Sequence, residues 1–276
     1  MTSWQIRRFR SKFKKINAKA YFAKGLMMIK TSLHIHTFED KVEGYIIKYN
    51  VYELIDWAEQ LGFKVLGLTC HKKIIYKNEY VDYAASKGIL LLFGVELAMR
   101  KKIKRNDLIL LNIDPREAVT IEKINSFEKL AEYKKQHREI FVLAPHPLAT
   151  RIFSMGKKKL VKNIELFDAV EHCWCYSRRL LNSNKKTVKI TEKFNKPFMA
   201  TSDAHSLRYF NTDYILVDSE KLDPASIFAA IKSGSFTNVT KPKKIYQLLW
   251  CVANIQLKKY ILYIFKFRQI KKNRHS

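Results

Sequence analysis

The pentapeptide Leu33-His-Ile-His-Thr37 closes the run Met28–Ile35. Alternate residues of a strand share one face, so a strand here carries both imidazoles to the same side. Outward from it, short apolar runs alternate with helical stretches. Val51–Leu61 precedes Val65–Thr69, Glu79–Lys87 precedes Ile89–Val95, and Leu108–Leu111 precedes Ser126–Gln136. Ile140–Ala144, Ala169–His172, the helix Ser183–Phe194 and Pro197–Thr201 follow. Runs of about five residues alternating with helices predict a parallel α/β sheet or barrel. Gly62, Gly88 and Gly94 punctuate the element ends.

The remaining histidines and acids that carry chemistry fall at the ends of these strands. His71 follows the second, in Gly67-Leu-Thr-Cys-His71, and Glu96 the third, in Gly94-Val-Glu96. His146 follows the fifth, in Ala144-Pro-His-Pro147, and Asp203 and His205 end Ala200-Thr-Ser-Asp-Ala-His205. The C-terminal ends of strands form the active-site face of a β/α barrel. So many imidazoles and carboxylates pointing into one bowl are costly to bury without cations. Divalent metal ions remove that cost, and His-x-His supplies two ligands from one strand. The plainer reading is a set of accidental polar loops, which one His-x-His permits but four such segments disfavour.

Together these segments resemble the successive motifs of the PHP (polymerase and histidinol phosphatase) family. The likeness extends through Phe167-Asp-Ala-Val-Glu171 and Ala229-Ala-Ile-Lys-Ser-Gly-Ser-Phe236, covering about residues 29–242. It implies a distorted (β/α)7 barrel with two or three divalent ions (Mn, Zn or Fe) and phosphoesterase chemistry. Carried over by position, His34, His36, Glu96 and Asp203 hold one ion. Glu96 bridges to a second, held also by His146, and a third uses His71 and His205. Asp107 stands where the family often has His and is carried as a second-metal ligand. The first loop offers Glu39, Asp40 and Glu43, of which Asp40 is preferred. His205 and Asp203 are the candidates for proton handling. Cys70, where the family often has Asp, is read as a small buried residue and not a nucleophile.

The charge is unevenly placed. The chain of 276 residues has 52 Lys and Arg against 25 Asp and Glu, a net +27. Residues 1–30 carry nine basic residues and residues 224–276 eleven, with no acid in either. All the carboxylates therefore lie in the middle, among 32 basic residues. With 47% hydrophobic residues the chain buries a real core, which excludes a wholly disordered protein. Four cysteines are too few for a disulfide scaffold, and Cys173-x-Cys175 is not a zinc-ribbon spacing. No secretory leader and no uninterrupted spanning segment is legible, so a cytoplasmic protein is expected.

Three segments follow: a basic amphipathic arm (1–28), a catalytic domain (29–242) and a basic aromatic helix or tail (243–276). The basic ends suit an anionic membrane surface or nucleic acid. Lys72, Lys73 and Arg208 are candidate phosphate contacts, while Glu171, His172, Tyr176 and Arg178 are pocket candidates. His137 and His275 read as surface residues. The expected activity is hydrolysis of a phosphomonoester or nucleotide-type phosphodiester through a metal-activated water. Carbon–nitrogen bond hydrolysis is the enzymatic runner-up. The non-enzymatic alternative is a degenerate metal-binding module whose basic ends bind membrane or nucleic acid.

Overall fold

The computed structural model describes residues 28–99, 106–149, 154–178, 182–249 and 253. The N-terminal arm and nearly all of the tail beyond Leu249 lie outside the described residues. The chain divides into two compact units, Met1–Trp174 with Ser183–Lys241, and Cys175–Asn182 with Pro242–Ser276. In the second unit, residues 245–249 and 253 are helical, within the segment expected to be a helix or tail. The Lys244 N–H there meets the Gln247 side chain at 3.0 Å.

The first unit is a nine-stranded sheet, rolled into a nearly closed barrel. Its strands are β1 (Met28–Ile35), β2 (Val65–Leu68), β3 (Leu90–Ala98), β4 (Asp107–Leu111) and β5 (Phe141–Ala144). They continue with β6 (Ala169–His172), β7 (Phe198–Ala200), β8 (Tyr214–Asp218) and β9 (Phe236–Val239). The spatial order is β7-β6-β5-β4-β3-β2-β1-β8-β9. The distortion of the β/α plan is specific: β4 and β8 run antiparallel to their neighbours, and the other seven strands share one direction.

Helices α1 (Val51–Gln60), α2 (Asn78–Ser86), α3 (Ala118–Ile121), α4 (Phe127–Gln136), α5 (Lys157–Lys162) and α6 (Asn184–Lys193) interleave with the strands. They are followed by α7 (Leu207–Phe210) and α8 (Pro224–Ser233). Asn50 and Glu53 form a reciprocal capping box on α1, satisfying backbone donors that the first turn leaves open. Ser126 caps α4 and Asp223 caps α8, while Gly234 closes α8 in the left-handed conformation at φ 79°.

Two apolar clusters sandwich the sheet. Leu54, Ile55 and Ala58 of α1, with Leu130 and Tyr133 of α4, pack on one strand face carrying Leu66, Leu91, Val95, Leu110 and Val142. The opposite face carries Val65, Leu92, Ile109, Leu111, Phe141 and Leu143, joined by Ile227, Phe228 and Ile231 of α8. Strand periodicity then puts Gly67 and Gly94 on this second face, above Val65 and Leu92. A methyl at Gly67 would lie 2.9 Å from both Leu111 Cδ2 and the Leu33 backbone, and one at Gly94 2.5 Å from the Leu110 carbonyl. Small residues are required there because backbone, which cannot swing away, occupies the space.

A one-residue bulge in β1 sets the phase of the histidines. Ser32 pairs with Leu66, yet Ile35 pairs with Leu68, so β1 spends an extra residue over that interval. Leu33 consequently belongs to the inner cluster while Ile35, two residues on, belongs to the helix-facing one. The slip turns His34 and His36 to the inner face above Leu33.

The barrel closes through a side chain. Asn238 of β9 accepts the Ala200 N–H at 2.6 Å and donates to the Phe198 carbonyl at 2.8 Å, both on β7. One amide thus reproduces a rung of backbone pairing. Asn238→Ala leaves two backbone groups without these partners and is expected to destabilise the fold by roughly 1–3 kcal/mol. An unchanged urea midpoint would refute this closure.

Candidate metal centre

Two single bridges beyond the strands assemble the site. Ile35 pairs in parallel with Ala204, the His36 N–H reaching the Ala204 carbonyl at 3.1 Å. This places Asp203 and His205 beside His34 and His36. His71 pairs likewise with Glu96, and the Glu96 N–H reaches the Cys70 carbonyl at 3.2 Å. The sequence pattern put Glu96 just past its strand. It lies within β3, which runs on to Ala98 to pair with β4.

Four donor atoms converge. His34 Nε2 and His36 Nε2 are 3.0 Å apart, and each lies 3.4 Å from Glu96 Oε2. Asp203 Oδ1 is 3.4 Å from the first imidazole and 3.5 Å from the second. Ligands bonded at about 2.1 Å around a tetrahedral ion stand roughly 3.4 Å apart, close to this spacing. The other ring atoms are already engaged. His34 Nδ1 donates to Glu171 Oε1 at 2.8 Å, and His36 Nδ1 to Asp40 Oδ2 at 2.9 Å. Those carboxylates fix the tautomers and aim two Nε2 lone pairs at one point, an arrangement that suits a cation. Both rings are fully buried, which rules out water as the usual partner.

Three ligand groups overlap here: His34, His36 and Asp203; His34, Glu96 and His146; and His36, Asp40 and His71. Glu96 links them, with Oε2 3.1 Å from His71 Nε2 and Oε1 3.6 Å from His146 Nε2. Asp40 approaches from behind, its Oδ2 accepting from the His71 ring and backbone N–H at 2.9 and 2.7 Å. Its Oδ1 accepts from the Val42 and Glu43 amides at 2.7 and 2.9 Å, tying the first loop down. His205 Nδ1 faces the Asp203 carbonyl at 2.9 Å, which only accepts, so that nitrogen carries hydrogen. Its Nε2 lies 2.9 Å from Glu43 Oε2.

Eight of the nine candidate ligands therefore touch one another: His34, His36, Asp40, His71, Glu96, His146, Asp203 and His205. Asp107 is buried opposite Ala98 and stands in none of the three groups. The first loop contributes two acids, not one, since Glu43 engages His205 while Asp40 serves His36 and His71. Glu171 holds His34, accepts the His146 N–H at 2.8 Å and bonds the Thr201 hydroxyl. The sequence reading carried Glu171 as a pocket candidate at a strand end, and it lies within β6 beside His172. His146 and Asp203 adopt positive φ, 27° and 44°, a local strain that the surrounding bonds sustain.

Cys70 is fully buried, and burial with Asp40 nearby pushes its thiol up to about 12, so it is no nucleophile. Lys73 pairs with Glu122 at 3.5 Å. His137 stacks on Tyr133, and His172 Nε2 meets Asn184.

Charge coupling across the cluster is strong. For Glu43, Glu96, His146, Asp203 and His205, burial works against the charged form, but attraction prevails. Glu96, Asp203 and Glu171 hold His146 up to about 9, and Asp203 with Glu43 does the same for His205. His205 and His71 hold Glu43 down to about 2. Histidines raised in the fold stabilise it fully below the unfolded value of 6.5 and cease to do so as pH passes about 9. The metal-free protein should therefore lose melting temperature between those limits, and bound divalent ions should flatten the loss. A flat metal-free profile would contradict the coupling.

A barrel whose inner face converges imidazoles and carboxylates in this way is suited to holding divalent metal ions. The PHP domain model matches residues 32–155, and the PHP-associated model matches residues 182–236. The chain belongs to the PHP domain family.

Solved structures share the fold at low identity. A two-domain Bacteroides vulgatus protein containing a predicted PHP-like metal-dependent phosphoesterase matches with TM-score 0.54 and 16% identity, over 78% of this chain and 66% of that one. PsfC of Pseudomonas syringae matches with TM-score 0.54 and 13% identity, over 84% and 98%. The lesion-specific endonuclease EndoQ of Pyrococcus furiosus matches with TM-score 0.54 and 13% identity, over 77% and 58%. The chain thus spans under two thirds of the first and last of these. A search of curated protein sequences found no match. Among the described residues, no helix is long and apolar enough to cross a membrane.

Proposed function

We propose that this chain is a metal-dependent phosphoesterase acting on a phosphomonoester or a nucleotide-type phosphodiester. The observation that carries the reading is the convergence of His34 Nε2, His36 Nε2, Glu96 Oε2 and Asp203 Oδ1. Divalent ions bound there supply an activated water and neutralise charge building on the phosphoryl oxygens.

The chain's own residues do the rest. His34, His36, Glu96 and Asp203 would hold a first ion, and Glu96, whose other oxygen faces His146, would serve a second with it. His71 and His205, backed by Asp40 and Glu43, offer a third position. Asp40 and Glu171 act through Nδ1 bonds, orienting the rings they hold. With the third position empty, His205, its Nδ1 hydrogen fixed by the Asp203 carbonyl, is placed to hold or release a proton at Nε2, a role that ligation through the same nitrogen would displace. Asp203 and Glu43 set how readily it does so. The buried cluster keeps these groups ordered before substrate arrives, so little reorganisation is needed.

The test is a screen of the metal-stripped chain, reconstituted separately with Mn, Zn or Fe(II). Phosphomonoesters, mononucleotides and short oligonucleotides are offered. Metal-dependent release of phosphate or of cleaved nucleotide is expected. Tight metal binding with no turnover of any ester would overturn the reading in favour of a binding module.

A further inference from the structure

One flank of the barrel end that carries the metal cluster is rich in exposed cations. β5, β6 and β7 are consecutive neighbours in the sheet and run parallel, so the segments leaving them emerge at that end. The Gly156 N–H meets the Pro147 carbonyl at 2.9 Å, so Lys157 and Lys158 start α5 beside the His146 segment. Asn184 holds the Cys173 N–H at 2.8 Å and His172 Nε2 at 2.9 Å, so Lys185 and Lys186 start α6 at the tip of β6. Arg208 follows His205 on α7. All five side chains are exposed, and none makes an ion pair among the described residues.

Nearby acids do not account for this charge. Between Phe141 and Phe210 the acids are Glu165, Asp168, Glu171, Glu192 and Asp203. Glu171 and Asp203 belong to the cluster. Glu165 pairs with Lys196, and Asp168 with Lys134 and Lys232, at the other end of the barrel. Glu192 lies in the last turn of α6. Lysines in a first turn oppose the helix dipole, and α6 has neither an acid there nor a side-chain cap. Lys185 and Lys186 therefore do nothing for their own helix. Among the described residues, no large apolar side chain is exposed between residues 141 and 210, which disfavours a membrane surface here.

We propose that Lys157, Lys158, Lys185, Lys186 and Arg208 bind phosphates other than the reacting one, in a nucleic-acid strand laid across the ends of β5, β6 and β7. The proposal rests on the phosphoesterase reading of the cluster and narrows its substrate to an oligonucleotide. Two strand spacings separate β5 from β7, about 10 Å. That distance spans roughly three phosphates of a strand at about 3.4 Å each. A strand whose reacting phosphate sits at the cluster thus carries its neighbouring phosphates onto the cations, and each contact releases counterions. A mononucleotide, with no phosphate beyond the reacting one, cannot use this flank.

The test follows binding of a short fluorescein-labelled phosphorothioate oligothymidylate to the metal-loaded full chain, by anisotropy across a salt series. Two double variants, Lys157→Gln with Lys158→Gln and Lys185→Gln with Lys186→Gln, remove charge at the mouth. The control, Lys189→Gln with Lys193→Gln, removes the same charge further along α6, where both lysines are also exposed. Each mouth pair should weaken binding about tenfold and lower the slope of log affinity against log salt by about 1.4, the value for two contacts to a single strand. Arg208→Gln should lower the slope by about half as much. The control should match the unmodified chain. On the unmodified substrates, kcat/KM for oligothymidylate relative to thymidine monophosphate should fall in the mouth variants alone. Equal losses in the control, or unchanged slopes in the mouth variants, would overturn the proposal. A larger loss of binding to phosphatidylglycerol vesicles than to the oligonucleotide would also overturn it, in favour of a membrane surface. If the unmodified chain cleaves neither substrate, the hydrolase reading alone fails, and the salt slopes still decide the strand contact.

Discussion

Glu96→Gln is expected to reduce metal-dependent turnover by on the order of 10³-fold or more while the barrel stays folded. Glu96 is 2% exposed, and its two oxygens serve four imidazoles, those of His34, His36, His71 and His146. Although burial opposes ionisation, His71, His146 and His34 hold its carboxyl well below the usual range. An amide of equal size fills the volume without supplying the charge that neutralises bound cations. Rates measured on protein of wild-type circular dichroism, with metal content determined in parallel, check this. Undiminished turnover would remove Glu96 from the site.

Glu171→Ala should weaken metal binding by about 10–100-fold, although Glu171 is not one of the convergent donors. It is 1% exposed and holds three partners at once: the His34 ring, the His146 backbone N–H and the Thr201 hydroxyl. Without it the His34 tautomer is free and the positive φ of His146 loses a support. Competition titration against a chromophoric chelator reads the change. Affinity within a factor of two of the unmodified chain would mean that Glu171 is only packing.

The residues that the sequence exposed were those with local signatures. His34 and His36 declare themselves by alternate spacing, and His71, His146, Asp203 and His205 by following apolar runs. The alternation of strands and helices likewise fixed the class of fold. What stayed hidden depends on contacts between distant segments. Strand direction is not written in a five-residue run, so the reversal of β4 and the existence of β8 and β9 were not read from the sequence. The β1 bulge shows only in its pairing with β2, and Asn238 looks like any turn or edge residue until β7 is beside it. The shared use of Asp40 and Glu43 was hidden for the same reason. Acids three residues apart on a loop look like alternatives, yet they turn to different histidines once the loop folds over the cluster.

The most direct measure of the central claim is elemental analysis of the reconstituted chain after equilibrium dialysis, beside the Glu96→Gln variant. Two or three divalent ions per unmodified chain, and fewer in the variant, is the result that the convergent donors require. Less than one ion per chain in both proteins would contradict it.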